Sequence, residues 1–260
     1  MELKVFYTVF MFIFGLIFGS FYNVVGWRLP IGLSLIRPSG SFCPKCKHKL
    51  RWYENIPVFS WLIQGGKCRN CKKPIPKFYI IIEPLTGGLF ALSYWIFGFG
   101  FEFVLAILVS SFFVIVIVSD SNFLVIPDEV TVFFTILIVI ARMIFNGFGN
   151  ALEFLGYGFL SFIIMYLLML FGNFIFKKES LGGGDIKLMF FIGCVLGPRM
   201  SLFTIFLSRF IAFPLSLILY FKSKDSVIPY GPFLLIATLI IVLFSLDTNS
   251  VLNLILNIGI

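Results

Sequence analysis

Gly182-Gly183-Gly184-Asp185 lies between Lys177-Lys178-Glu179 and an apolar run that begins at Ile186. Glycine is a poor helix former, so three in a row point to a sharp turn or a close backbone approach. They deliver a carboxylate to the mouth of an apolar segment, where a charge is costly unless it is paired or used. Taken alone, a loop with a helix-capping aspartate accounts for the motif. A second acid changes the balance. Asp120 ends an apolar run, in Val118-Ser119-Asp120-Ser121-Asn122, and there it opposes the helix dipole. Pro127 stops any helix running through it, and Asp128-Glu129 open the next helix at its favourable end. Asp128 therefore has a structural explanation and Asp120 has none. Asp120 and Asp185 at one membrane surface suggest a pair sharing one proton.

Composition sets the class. The 260 residues are 60% hydrophobic, with 36 Phe, more apolar surface than a soluble core can hide. Eight apolar runs are long enough to consider as spans: Val5–Val25, Tyr79–Phe99, Phe101–Ser119, Val130–Phe145, Phe154–Phe176, Ile186–Leu196, Ser201–Phe221 and Ile228–Leu246. Ile186–Leu196 is the short one, at roughly 17 Å of helix against a hydrocarbon core of ~30 Å, and Gly197-Pro198 either kinks or ends it. The fold expected is an all-α polytopic membrane protein of about eight transmembrane helices. Val5–Val25 lacks the basic leader and small-x-small site of a cleaved signal.

Charge orients the expected bundle. The chain has 20 Lys+Arg and 12 Asp+Glu, and 11 of those basic residues fall between Trp27 and Tyr79, with Glu54 the one acid there. This basicity sits beside spans and does not suggest nucleic acid. Eight spans put that loop, Lys177, Lys178, Lys222 and Lys224 on one side, a positive-inside pattern that makes it cytoplasmic. Asp120 and Asp185 then share the cytoplasmic face. Arg209, inside a span, needs a partner. The apolar tail Val251–Ile260 is too short to cross alone.

Within the basic loop, Cys43-Pro44-Lys45-Cys46 and Cys68-Arg69-Asn70-Cys71 are separated by 21 residues, close to zinc-ribbon spacing. Cys43, Cys46, Cys68 and Cys71 can close a tetrahedral site, structural because no position stays open. Disulfides are the competing reading, disfavoured in a reducing cytoplasm. His48 reads as an exposed polar residue and Cys194 as a small buried hydrophobe.

These features together resemble the bacterial type IV prepilin peptidases, membrane aspartic peptidases of the Gly-x-Gly-Asp type. Asp120 with Pro127-Asp128, and Gly182, Gly184 and Asp185 followed by Lys187-Leu188, match the catalytic motifs. Gly19-Ser20-Phe21-Tyr22-Asn23-Val24, Arg28-Leu29-Pro30, the two Cys pairs, Trp52-Tyr53-Glu54-Asn55-Ile56-Pro57, Ser60-Trp61-Leu62 and Tyr79 with Glu83 match the N-terminal half. Leu181, where methionine is common, and Gly183 at the variable position are mild departures. The resemblance implies an enzyme of the bacterial cytoplasmic membrane that cleaves the basic leader of prepilins or pseudopilins after a glycine. It further implies N-methylation of the new terminus, usually Phe, from S-adenosylmethionine. By motif position Asp120 and Asp185 are the catalytic aspartates, and Asn23, Arg28 and Glu54 are candidates for holding the methyl donor. Archaeal relatives without the cysteine loop are peptidases only, which directs methyl transfer to that loop. The implied division is a first helix (1–26), a four-cysteine zinc loop domain (27–78) and a peptidase bundle (79–260).

The hydrolytic half stands on inventory as well. An ionised carboxylate can deprotonate water while its protonated partner polarises the scissile carbonyl. One histidine and no Gly-x-Ser-x-Gly elbow leave no serine triad. No Gly-rich nucleotide fingerprint marks a methyl-donor site. The rival from another class is a proton-coupled transporter with intramembrane acids and a zinc-ribbon regulatory loop; no inverted repeat supports it.

Overall fold

The computed structural model describes residues 1–36, 40–43, 45–76, 78–177, 182–222 and 229–248. Their regular secondary structure is helical apart from two isolated β-bridges, and the chain forms two compact units. Unit 1 comprises Met1–Phe99 with Val114–Phe123; unit 2 comprises Gly100–Phe113 with Leu124–Ile260.

Unit 1 is built on α1 (Glu2–Arg28), the short α2 (Phe59–Ile63), α3 (Phe78–Phe97) and the second half of α4 (Phe101–Phe123). Between membrane helices there is little hydrophobic driving force, so small residues that let backbones approach supply the contact. That is how α1 meets α3. A Cβ at Gly15 would lie 2.7 Å from Gly87 Cα, and one at Gly87 would lie 2.9 Å from the Phe12 carbonyl. The outward faces of α1 remain apolar, with Phe6, Phe10, Phe14 and Phe21 exposed, as lipid contact requires.

Unit 2 contains the first half of α4, then α5 (Asp128–Asn146), α6 (Phe148–Phe176), α7 (Gly183–Leu196), α8 (Pro198–Lys222) and α9 (Gly231–Leu243). A helix apolar on every side belongs in a core, and α7 fills that role. Leu188, Met189, Phe191, Ile192 and Cys194 are fully buried, and Phe191 packs on Phe112 at 4.3 Å between ring centroids. Gly193 lets α6 come close, since a Cβ there would sit 2.7 Å from the Tyr157 carbonyl. The far end of α7 is closed by a cation. Buried Arg142 donates from Nε to the Cys194 carbonyl at 3.0 Å and from Nη2 to the Val195 carbonyl at 2.6 Å, and its guanidinium lies 3.3 Å from the Phe154 ring centroid. Those are orphan carbonyls at the negative end of the helix dipole, where a cation is favoured. Arg209 also has its partner: Nε donates to Tyr230 Oη at 2.9 Å.

Several boundaries differ from the expectation. Among the described residues, four helices are long and apolar enough to cross a membrane by length and composition, namely Glu2–Ile31, Phe78–Phe97, Phe101–Phe123 and Phe148–Ile175, with Gly231–Leu243 a shorter apolar helix. At 14 residues α7 measures roughly 21 Å. Gly197 takes φ +77° and Pro198 starts α8, so this dipeptide ends one helix and opens another. Asp120 does not terminate α4. The helix continues to Phe123 and stops at Leu124, whose φ is +54°, placing Asp120 in its last turn. Residues 178–181, Lys224 and Val251–Ile260, which enter the orientation argument, lie outside the described residues.

Candidate active site and metal centre

The loop of unit 1 is two copies of one turn. In the first, the Cys43 N–H donates to the His48 carbonyl at 2.9 Å and the Lys47 N–H to the Cys43 carbonyl at 2.9 Å. In the second, Cys68 N–H to Lys73 and Lys72 N–H to Cys68 repeat both distances. Lys47 and Lys72 hold the left-handed conformation that closes each turn, at φ +59° and +58°. The duplication was readable as C-x-x-C-K, and it aims four sulfurs at one point. Cys43 Sγ is 3.9 Å from Cys71 Sγ, Cys46 Sγ is 3.9 Å from Cys68 Sγ, and all four lie within 4.8 Å. Sulfurs about 2.3 Å from a tetrahedral zinc ion sit roughly 3.8 Å apart, so the donor set fits a metal. The five cysteines are free thiols, and the competing disulfide pairing is not formed. The His48 backbone N–H, followed by the Asn70 amide, draws the Cys46 thiol down to about 6. The Lys73 N–H acts the same way on Cys71, but burial and the three neighbouring sulfurs outweigh it and push that thiol up to about 11. Four thiols so close cannot all ionise without a cation between them.

Beside the knuckles is a cavity of about 330 Å³, within the size range of small-molecule sites. Asn23 and Arg28 of α1, Glu54, Trp61 of α2, Glu83 of α3 and Asn122 of α4 are among its walls, all from unit 1. Glu54 is 5% exposed in a basic loop. Its Oε2 accepts from the Arg51 backbone N–H at 2.8 Å and lies 3.5 Å from His48 Nε2, so His48 is engaged, not simply exposed. Its Oε1 has no partner, nor have Asn23 Nδ2 and Trp61 Nε1, all three withdrawn from solvent. A buried unsatisfied polar atom costs on the order of 1–3 kcal/mol, and three among the walls of one cavity suit a polar ligand. The residues present therefore fit a methyl donor of amino-acid character. Arg28 faces the loop backbone instead. Its Nη2 donates to the Gly40 carbonyl at 2.8 Å, and Nη1 reaches the Ser34 and Leu35 carbonyls, tying the start of the loop to α1. Trp61 and Glu83 carried no role beyond their motif in the sequence. Glu83 Oε2 accepts the Val58 N–H at 2.7 Å, securing the turn that presents Trp61. Val58 is β-branched at φ +62°, a conformation such a residue rarely holds unaided.

In unit 2, Gly182 is the N-cap of α7, and Gly183 and Gly184 form its first turn. Asp185 is thus not the cap; it stands at the third helical position, its N–H directed to the Gly182 carbonyl at 3.1 Å. There a carboxylate meets the positive end of the dipole. Gly184 faces Ile126, and a Cβ on it would come within 3.3 Å of Ile126 Cδ1. One turn on, Lys187 Nζ binds both oxygens of Asp128, at 2.8 and 2.7 Å. Asp128 opens α5 as an acid in its first turn, and it is also the partner of this lysine. Asp120, in unit 1, is 6% exposed.

Apolar helices of membrane-spanning length and a four-thiol cluster define an integral membrane protein with a candidate metal centre. Comparison with known proteins makes it specific. The family described as "Bacterial Peptidase A24 N-terminal domain" matches residues 13–97, and the "Type IV leader peptidase family" matches residues 107–217. A protein of Vibrio cholerae is 33% identical over 259 residues, covering 92% of this chain and 97% of that one. One from Bacillus subtilis is 38% identical over 200 residues, covering 76% and 77%. One from Myxococcus xanthus is 38% identical over 198 residues, covering 75% of this chain and 58% of its own length. Each is named prepilin leader peptidase/N-methyltransferase. The chain belongs to the type IV leader peptidase family, an enzyme family. No solved structure gives a significant match.

Proposed function

We propose that this enzyme cleaves the basic leader from type IV prepilins or pseudopilins after a glycine and then N-methylates the freed terminus, usually Phe. What carries the reading is that both halves of the chain match this family, over stretches that contain the residues proposed for the chemistry, and that relatives of that name cover most of the chain. Asp120 and Asp185 are proposed as the catalytic pair, with Gly182, Gly184 and Lys187 shaping the loop. One carboxylate takes a proton from water as it attacks the scissile carbonyl, and its protonated partner donates to the carbonyl oxygen. Proton return to the departing amine resets the shared proton. The four-cysteine site is proposed to hold structural zinc. Bound S-adenosylmethionine would supply an activated methyl group. Asn23 and Glu54 would hold it beside the metal knuckle, while Arg28 fixes the loop around it. The transporter reading gains no support from the relatives.

The proposed setting is the cytoplasmic membrane, with residues 27–78 as the loop domain between the helix of 1–26 and the peptidase bundle of 79–260, active at the cytoplasmic face. Purified enzyme incubated with a prepilin should give a product lacking the leader. With S-adenosylmethionine present, that product should gain one methyl group by mass. An unprocessed prepilin would overturn the assignment, and labelling of a cysteine at position 35 from outside the cell would overturn the orientation.

A further inference from the structure

We propose that the unit 1 cavity recognises the amino-acid end of its ligand, with Glu54 receiving the ammonium and Asn23 and Trp61 receiving the carboxylate. The inference rests on the methyl-donor reading and deepens it. A zwitterionic α-amino acid presents one cationic donor group and one anionic acceptor group a few bonds apart. The unpartnered atoms on the cavity's lining residues are the complement: one carboxylate oxygen, Glu54 Oε1, and two N–H donors, Asn23 Nδ2 and Trp61 Nε1. The carboxylate needed for an ammonium is present although the loop is otherwise basic. Its other oxygen is committed to the Arg51 N–H and to His48, so Glu54 is held with Oε1 left over. The two donors are held by different helices. Asn23 lies on α1 where that helix is buried, and Trp61 lies on α2, its ring pressed against Gly66, where a Cβ would approach to 2.7 Å. Neither donor carries a charge, which suits a carboxylate that arrives already paired with its own ammonium.

The test is binding, not turnover. Full-length protein in detergent or nanodiscs is titrated with S-adenosylhomocysteine, which carries the amino-acid end, and with 5′-methylthioadenosine, which lacks it. The expected result is that wild type prefers S-adenosylhomocysteine by about tenfold or more, and that Glu54→Gln and Asn23→Ala each erase most of that preference. Affinity for 5′-methylthioadenosine should stay within about twofold. Zinc content near one per chain reports that each variant has folded, and the wild-type comparison needs no variant at all. Equal wild-type affinity for the two compounds overturns the inference while leaving a methyl-donor site in place. A preference that survives both substitutions overturns the assignment of Glu54 and Asn23. Binding of neither compound removes the methyl-donor reading itself.

Discussion

The cysteine loop of unit 1 and the glycine end of α7 in unit 2 are assembled by opposite means. In the loop, each pair of sulfurs is set by a turn that closes on itself within six residues, from Cys43 to His48 and from Cys68 to Lys73. At the end of α7, the contacts that define the place come from distant sequence: Ile126 against Gly184, and Asp128 on Lys187, 59 residues away. One region is specified by spacing and the other by the packing of long helices. A change in the loop should therefore stay local, whereas a change near Asp185 acts on contacts made between segments distant in sequence.

The largest expected effect probes the packing-built region. Asp120→Asn and Asp185→Asn should each lower leader cleavage by on the order of 10²–10⁴-fold. The double variant should be little worse than either, because groups acting as a unit are not additive. Both variants should still insert and retain metal, since the cysteine turns are closed within themselves. Cleavage rates of expression-matched enzymes decide it. Substantial turnover by either single variant would falsify the aspartic mechanism.

A smaller effect on cleavage, with a large one on metal content, is expected from the loop. Any one of Cys43→Ser, Cys46→Ser, Cys68→Ser or Cys71→Ser should drop zinc from near one per chain towards none, as measured by elemental analysis. Acidification should release the metal from wild type, because protons and zinc compete for the same thiolates. Methyl transfer should fail in these variants before cleavage does. Equal loss of both activities would break the contrast between the two regions and tie the loop to the hydrolytic chemistry.

Legibility followed the same contrast. The four-cysteine cluster was readable because C-x-x-C is a local device whose geometry needs nothing beyond its own turns. The helical class was readable because apolar run length is a property of composition. What spacing alone missed was tertiary. Arg142, on an apolar helix, looked like nothing until the carbonyls of Cys194 and Val195 appeared beside it. Trp61 and Glu83 acquired roles through a cavity that draws on α1, α2, α3 and α4. Asp128 was read as a helix-opening acid, a one-dimensional explanation, yet it is bonded across sequence to Lys187. Helix ends also shifted: Asp120 lies inside the last turn of α4 because Leu124, not the acid, adopts the stopping conformation.

That ion pair gives the smallest and most discriminating prediction. The Lys187 and Asp128 side chains are 52% and 61% exposed, so water and salt screen their attraction. Pairs of this kind contribute about 0.2–1 kcal/mol. If Lys187 serves only to steady the turn between Ile126 and α7, Lys187→Ala and Asp128→Asn should slow cleavage by similar, severalfold amounts. The double variant should then match the singles, and raising salt should narrow the gap to wild type. A direct role for Lys187 on the substrate predicts something else. Lys187→Ala would cost far more than Asp128→Asn, and the excess would persist in the Asp128→Asn background. A double-mutant cycle on cleavage rate, run at low and high salt, separates the two. The geometry favours the first outcome, because Lys187 Nζ is bound by both Asp128 oxygens and each partner remains open to solvent.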